Sequence, residues 1–234
     1  MEAIFYILIV LTVFMSAVYV FKSNGQTGIK SLVFKVISSF MFTAVALYAC
    51  FLNQFVLGTF VFLLGFVASC FGDTILGLPG FPELKEKKNK LILFGGLAFA
   101  VAHVAYYIGM ILIFGWVWWS LLIALPFALF FFLFTKFAMK VKYDKMTAGI
   151  LIYALFISIV VCQGLYAFIS LPISVFSILI ALGFLFFYVS DIILMKVYFG
   201  ENSEAGNIKL YYYNLASYYI AQILLAVSLF FVVL

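Results

Sequence analysis

Charge is what this chain has least of. Charged residues make up 9% of its 234 residues and hydrophobic ones 68%, where a soluble domain carries roughly 25% charged. With a mean hydropathy of +1.31, a soluble core is excluded and an integral membrane protein is expected. Histidine occurs once; a catalytic zinc site takes three protein ligands, so neither a metal nor another cofactor is expected. Cysteine occurs three times, as Cys50, Cys70 and Cys162, each inside an apolar stretch and none at metal-ligand spacing. An odd number so placed excludes a disulfide framework and leaves packing residues. A repeat period and a low-complexity linker are both missing.

Alternation is missing too. Transmembrane β-strands need short segments of alternating polarity, and the Phe, Leu and Ile runs here are continuous, so the spans read as helices. Eight runs reach membrane length, at 3–21, 31–51, 55–77, 91–114, 116–139, 147–169, 172–195 and 211–234. Spans of about 20 residues leave almost nothing for a soluble domain, so residues 1–234 form one transmembrane domain. The first run opens on Met1-Glu2-Ala3, with no positive charge and no small-residue cleavage site after it; a retained helix is expected rather than a signal peptide.

The connections differ sharply in charge. With loops on alternate sides, one side receives Lys22 and Lys30; Lys85, Lys87, Lys88 and Lys90; Lys136, Lys140, Lys142 and Lys145; and Lys196 and Lys209. The opposite connections, around Leu52-Asn53-Gln54, Gly115-Trp116 and Ser170-Leu171-Pro172, carry no basic residue. The positive-inside rule then places every charged loop in the cytoplasm and both termini outside, giving an all-α bundle of eight helices. The net charge of +5 follows from this topology and contact with anionic lipid, and no nucleic-acid partner is expected. Trp116, Trp118 and Trp119 fit an outer interfacial belt. Phe130, Phe131, Phe132, Phe186 and Phe187 are expected to pack against lipid or neighbouring helices.

Against this background a few polar residues stand out. A carboxylate at the centre of a membrane helix costs about 2.5 to 3.5 kcal/mol on insertion scales, so each one is a functional-site hypothesis. Asp73, in Ser69-Cys-Phe-Gly72-Asp73-Thr-Ile-Leu76, and Asp191, after Gly183-Phe-Leu-Phe-Phe-Tyr-Val-Ser190, are two such residues. Lys35 lies about 6 Å into the second span, with Ser31, Ser38 and Ser39 on the same helix face. It can snorkel to the interface or meet a partner at the depth of the two aspartates. Deeper lie His103 with Tyr106 and Tyr107, then Tyr153, and Asn214, Tyr218 and Gln222 at four-residue intervals with Tyr219 beside them. Six helices thus contribute polar residues to the cytoplasmic half or the midplane.

These residues in this order resemble the signature of the YhhN-like lysoplasmalogenases. The resemblance is carried by Lys35, Gly72-Asp73 with Leu76, Phe99-x-x-x-His103-x-x-Tyr106, Tyr153, Gly183 leading to Phe187-x-x-Ser190-Asp191, and Tyr218-Tyr219-Ile-Ala-Gln222. It departs at Val36, where the family has proline after the lysine, and at Phe184, where it has a small residue. The resemblance implies an eight-helix enzyme that hydrolyses the vinyl ether bond of lysoplasmalogens to a fatty aldehyde and a glycerophospho-ethanolamine or -choline.

An enol ether opens by protonation of its β-carbon, and water attacks the oxocarbenium ion that results. That chemistry needs a protonated acid and an anion, as in the carboxylate pairs of glycosidases. Asp73 and Asp191 are expected to face each other as that pair. Lys35 is expected at the phosphate of a lysophospholipid entering from the inner leaflet, with His103, Tyr219 and Gln222 orienting water or a carboxylate. Tyr106, Tyr153, Ser190 and Asn214 complete the expected site. An aspartyl protease is disfavoured, because Cys70 breaks the Gly-x-Gly-Asp pattern and Ser190 precedes Asp191. A proton-coupled carrier would use the same charges, but no inverted repeat is visible and Pro126 alone lies deep in a span. Short loops and the lack of a targeting extension point to a bacterial inner membrane.

Overall fold

With no water to satisfy backbone N–H and C=O groups inside a membrane, continuous apolar runs become helices. The computed structural model describes residues 2–23, 28–143, 146–170, 172–200 and 208–232; Lys145 and the ends of the chain lie outside the described residues. It contains α1 (Glu2–Ser23), α2 (Ile29–Leu52), α3 (Leu57–Gly77), α4 (Lys88–Phe114), α5 (Trp118–Leu133), α6 (Thr147–Ser170), α7 (Val175–Phe199) and α8 (Ile208–Ser228). Each helix, with the short turns that extend three of them, is long and apolar enough to cross a membrane, and no strand is formed among the described residues. The chain is an integral membrane protein.

The eight expected spans are all present, and their ends differ by a few residues. In the fifth, α5 stops at Leu133 and gives way to a single π-helical turn, Phe134–Ala138. There the Thr135 hydroxyl donates back to the Phe131 carbonyl at 2.7 Å and accepts from Tyr143 at 2.5 Å. Hydroxyl bonds of this kind compete with the regular ladder. At the other end of the molecule, α7 begins with a capping box in which Ser174 and Ser177 each bond the other's backbone N–H.

The helices run up and down. At one end the ends of α1, α3, α5 and α7 meet the start of α8 and one another: Tyr212 donates to the Phe21 carbonyl, Tyr198 to that of Leu76, and Lys196 to that of Met139. At the other end Asn53 donates to the Leu229 carbonyl and Gln163 to that of Gly115. The described lysine-bearing connections therefore share one end of the bundle.

α3 and α4 form the closest pair. Gly58, Gly65 and Gly72 recur every seven residues on α3, and Gly95, Ala102 and Gly109 do so on α4. Small residues at such an interface let helix backbones approach. A Cβ at Gly109 would lie 2.9 Å from the Phe62 nitrogen and 3.0 Å from the Gly58 oxygen. Around the bundle α1, α2, α3, α4, α6, α7 and α8 are neighbours in that order, with α8 closing onto α1 and α2. α5 stands outside this ring against α6. The interior thus falls among α2, α3, α4, α6, α7 and α8, the six helices that carry the polar residues.

Candidate functional site

Asp73 sits on the inner face of α3, one turn before its end, and is 2% exposed. Lys35 of α2 is 7% exposed and its ammonium lies 3.2 Å from Asp73 Oδ1. The lysine therefore meets a partner inside the bundle rather than snorkelling out. Oδ2 accepts from the Ser39 hydroxyl at 2.5 Å and the Tyr218 hydroxyl at 2.6 Å. A buried ion pair is tolerated where further hydrogen bonds satisfy its remaining lone pairs, and here both carboxylate oxygens are occupied.

Behind Tyr218 a directed chain continues. Gln222 Nε2 donates to the Tyr218 hydroxyl at 3.2 Å, and Gln222 Oε1 accepts from Tyr106 at 3.1 Å. Tyr106 also shares a 3.3 Å bond with Ser69. Every donor from Tyr106 through Gln222 and Tyr218 points towards Asp73, an arrangement in which successive bonds polarise one another. Tyr219 reaches the Lys35 carbonyl at 3.5 Å and packs edge-on to Tyr19.

Asp191 has different company. It lies on the inner face of α7, is 3% exposed, and accepts from the Tyr153 hydroxyl at 2.7 Å. No cation pairs with it among the described residues. Just before it, Ser190 is tied to α8: Asn214 Nδ2 donates to the Ser190 carbonyl at 2.8 Å and its hydroxyl at 3.0 Å, and the hydroxyl donates to the Asn214 carbonyl. Those bonds fix the rotation of α7 that turns Asp191 inward. His103 stands beside Tyr153, ring centroids 5.6 Å apart, and beside Phe187 at 4.9 Å. It is buried, and neither ring nitrogen has a hydrogen-bonding partner among the described residues.

The bundle holds the ten residues of the expected site in two groups, while Tyr107, noted beside them in the sequence, accepts instead from Trp116 at 3.1 Å in an exposed position. Lys35, Asp73, Tyr106, Tyr219 and Gln222 form one; His103, Tyr153, Ser190, Asp191 and Asn214 form the other. The two carboxylates share no hydrogen-bond partner among the described residues: Asp73 is held by Lys35, Ser39 and Tyr218, and Asp191 by Tyr153. Phe187 lies between the groups, 4.9 Å from His103 and 5.6 Å from Tyr218, centroid to centroid. Gln222 uses both ends of its amide within the protein, and Asn214 and Ser190 are spent on each other. These three position their neighbours. Ser39 and Tyr218, outside the expected set, are the direct partners of Asp73; Ser39 is four residues after Lys35 and Tyr218 four before Gln222, which puts each on a site-facing helix stripe.

A crevice of about 180 Å³ opens beside the second group, between the first turns of α4 and α6 and the last turns of α7. Tyr153 lines it, so the phenol that bonds Asp191 also borders this apolar space.

A family model described as the YhhN family matches residues 30–229. No curated protein and no solved structure matches the chain.

Proposed function

The chain belongs to the YhhN family, the family of lysoplasmalogenases, and we propose that it hydrolyses the vinyl ether bond of a lysoplasmalogen inside the membrane. The observation that carries this reading is the unequal setting of two buried aspartates: Asp73 against a lysine, and Asp191 against a phenol beside an apolar crevice. Environment divides such a pair into an acid and an anion, as in other hydrolases with two carboxylates.

Asp191 is the acid. Its proton goes to the β-carbon of the vinyl ether; the π electrons form the new C–H bond, and the ether oxygen shares the charge left on the α-carbon. Water adds to that carbon and returns a proton to the Asp191 carboxylate. The hemiacetal then collapses to fatty aldehyde and a glycerol hydroxyl, so one water is consumed and the acid is restored. His103, whose two ring nitrogens have no other partner among the described residues, orients the water, and Tyr153 holds the carboxyl in place. Lys35 has three N–H donors; with one directed at Asp73, it can offer another to the substrate phosphate. Asp73 supplies the fixed negative charge that keeps that lysine inside the bundle.

The test is aldehyde release from a lysoplasmalogen by the purified protein in detergent. Removing a positioned acid costs about 10² to 10⁴ in rate, so Asp191→Asn is expected to lose at least about 100-fold, and Asp73→Asn to be severely impaired. Both should elute from size exclusion as the parent does. Wild-type rates in Asp191→Asn would remove the acid assignment. Uptake of substrate into vesicles without any turnover would favour a proton-coupled carrier built on the Lys35–Asp73 pair.

A further inference from the structure

Ten glycines lie inside the described helices at positions where the surroundings of an added Cβ are known, and eight of them are packed against a neighbour. Gly96 of α4 and Gly149 of α6 are the two exceptions: a Cβ there would meet nothing within 4 Å. Both line the crevice beside Tyr153. Gly95, next to Gly96, is used for packing, since a Cβ there would run into Leu76. The tandem Gly95-Gly96 therefore serves two different surfaces, one towards α3 and one towards the crevice. Glycine in a helix interior costs about 1 kcal/mol relative to alanine, and at 96 no neighbour among the described residues accounts for it; Gly149 lies in the first turn of α6.

The crevice is lined by apolar side chains apart from the two phenols of Tyr153 and Tyr198. It lies within membrane-spanning segments, where the available occupant is hydrocarbon. The residues that line it belong to the helix turns nearest the lysine-rich end. Lys88 and Lys90 stand one turn before Ile92 and Leu93, which line it, and so lie on the same helix faces; Glu83 and Glu86 are the acidic residues in the preceding turns. Tyr153 is six residues into α6, about 9 Å of helix rise, and Phe156 lies one turn deeper. A lipid with one chain would leave its head group at the lysine-rich end, towards which Lys35 also lies, and its first chain carbons by Tyr153, with the tail running on towards Phe156.

We propose that this crevice is the seat of the single hydrocarbon chain of the substrate, opened by Gly96 and Gly149. The proposal rests on the hydrolase reading for the identity of the lipid, not for the existence of the seat. The chain length accepted is then set by the space past Tyr153, and bulky side chains at 96 and 149 close it without touching either aspartate.

The experiment uses the full chain in detergent and a lysophosphatidylethanolamine with a saturated ether chain and a diazirine at the chain terminus. That probe has no vinyl bond, so its labelling is independent of turnover. Labelled peptides are expected from the stretches 92–100 and 149–156. The double variant Gly96→Phe/Gly149→Phe should lower labelling by about tenfold or more, as expected for loss of a few methylenes of apolar contact. The milder Gly149→Leu should lower it less, and Gly96→Ala should retain it with an unchanged elution profile. Asp191→Asn should be labelled as the parent is. Labelling spread over the lipid-facing sides of α1 and α5, or unaffected in both Gly149→Leu and the double variant, would overturn the proposal. So would competition by a two-chain phosphatidylethanolamine equal to that by the single-chain lipid, which would mean bulk membrane lipid only. Labelling at the crevice without aldehyde release from a lysoplasmalogen would sink the hydrolase reading alone. Aldehyde release with no label at the crevice would sink this one alone.

Discussion

Lys35 and Asp73 are both withdrawn from the surface and 3.2 Å apart, so each is the other's main compensation for leaving water. Removing one partner of a buried pair costs about 3 to 5 kcal/mol, because a charge is left behind, whereas replacing both is often close to neutral. Lys35→Met is therefore expected to lower the apparent unfolding temperature in detergent markedly. Lys35→Met/Asp73→Asn should recover most of that loss, since the amide oxygen then present at position 73 would still accept from Ser39 or Tyr218, while activity stays absent. Equal destabilisation by the single and double variants would show that the pair is not what holds this region. The charged residues themselves were easy to find in the sequence, because a charge in an apolar run has few bland explanations. Which carboxylate receives the lysine was not legible: both lie on helices at similar depth, and the choice depends on α2 packing against α3 rather than α7. Gln222 shows the same limit. Four-residue spacing puts it on the face of Tyr218, but nothing along α8 says that Tyr106 of α4 will occupy its carbonyl.

Among the helices, α3 and α4 show how a sequence with little polarity still specifies a contact. The glycine heptads make a shallow groove on each, and the aromatic rings of Phe99 and Tyr106 settle over Gly72 and Gly65. That seats two of the rings around Asp73. At Gly109 the atoms nearest an added methyl include the Phe62 nitrogen and the Gly58 oxygen, which belong to backbone and cannot rotate away. Overpacking of this kind costs about 1 to 3 kcal/mol, so Gly109→Ala should lower the unfolding temperature and Gly96→Ala, facing open space, should not. If the two alanines behave alike, the close approach of α3 and α4 is not important for stability. The spans could be read from apolar length alone; the π-helical turn after Leu133 could not, because it arises from Thr135 bonding back to Phe131 and across to Tyr143.

At the scale of the molecule, the gathering of charged connections at one end joins the topology to the chemistry. Counting lysines along alternate loops was enough to sort the ends, since a mis-set helix count would scatter them over both faces. The crevice was beyond such counting: it is lined by residues of α4, α6 and α7 with Leu76 of α3, and two of those residues, Gly96 and Gly149, have no side chain. Both the crevice and the Lys35–Asp73 pair lie towards the lysine-rich end, so the direction in which that end faces decides which leaflet supplies the lipid. Positive charge retains loops on the cytoplasmic side, and single cysteines placed at Asn53 and at Lys90 in an otherwise cysteine-free chain would report it. In intact cells a membrane-impermeant maleimide should label position 53, while position 90 should react only after permeabilisation. The reverse pattern would turn the molecule over and make the outer leaflet the source of its substrate, leaving the geometry of the site as it is.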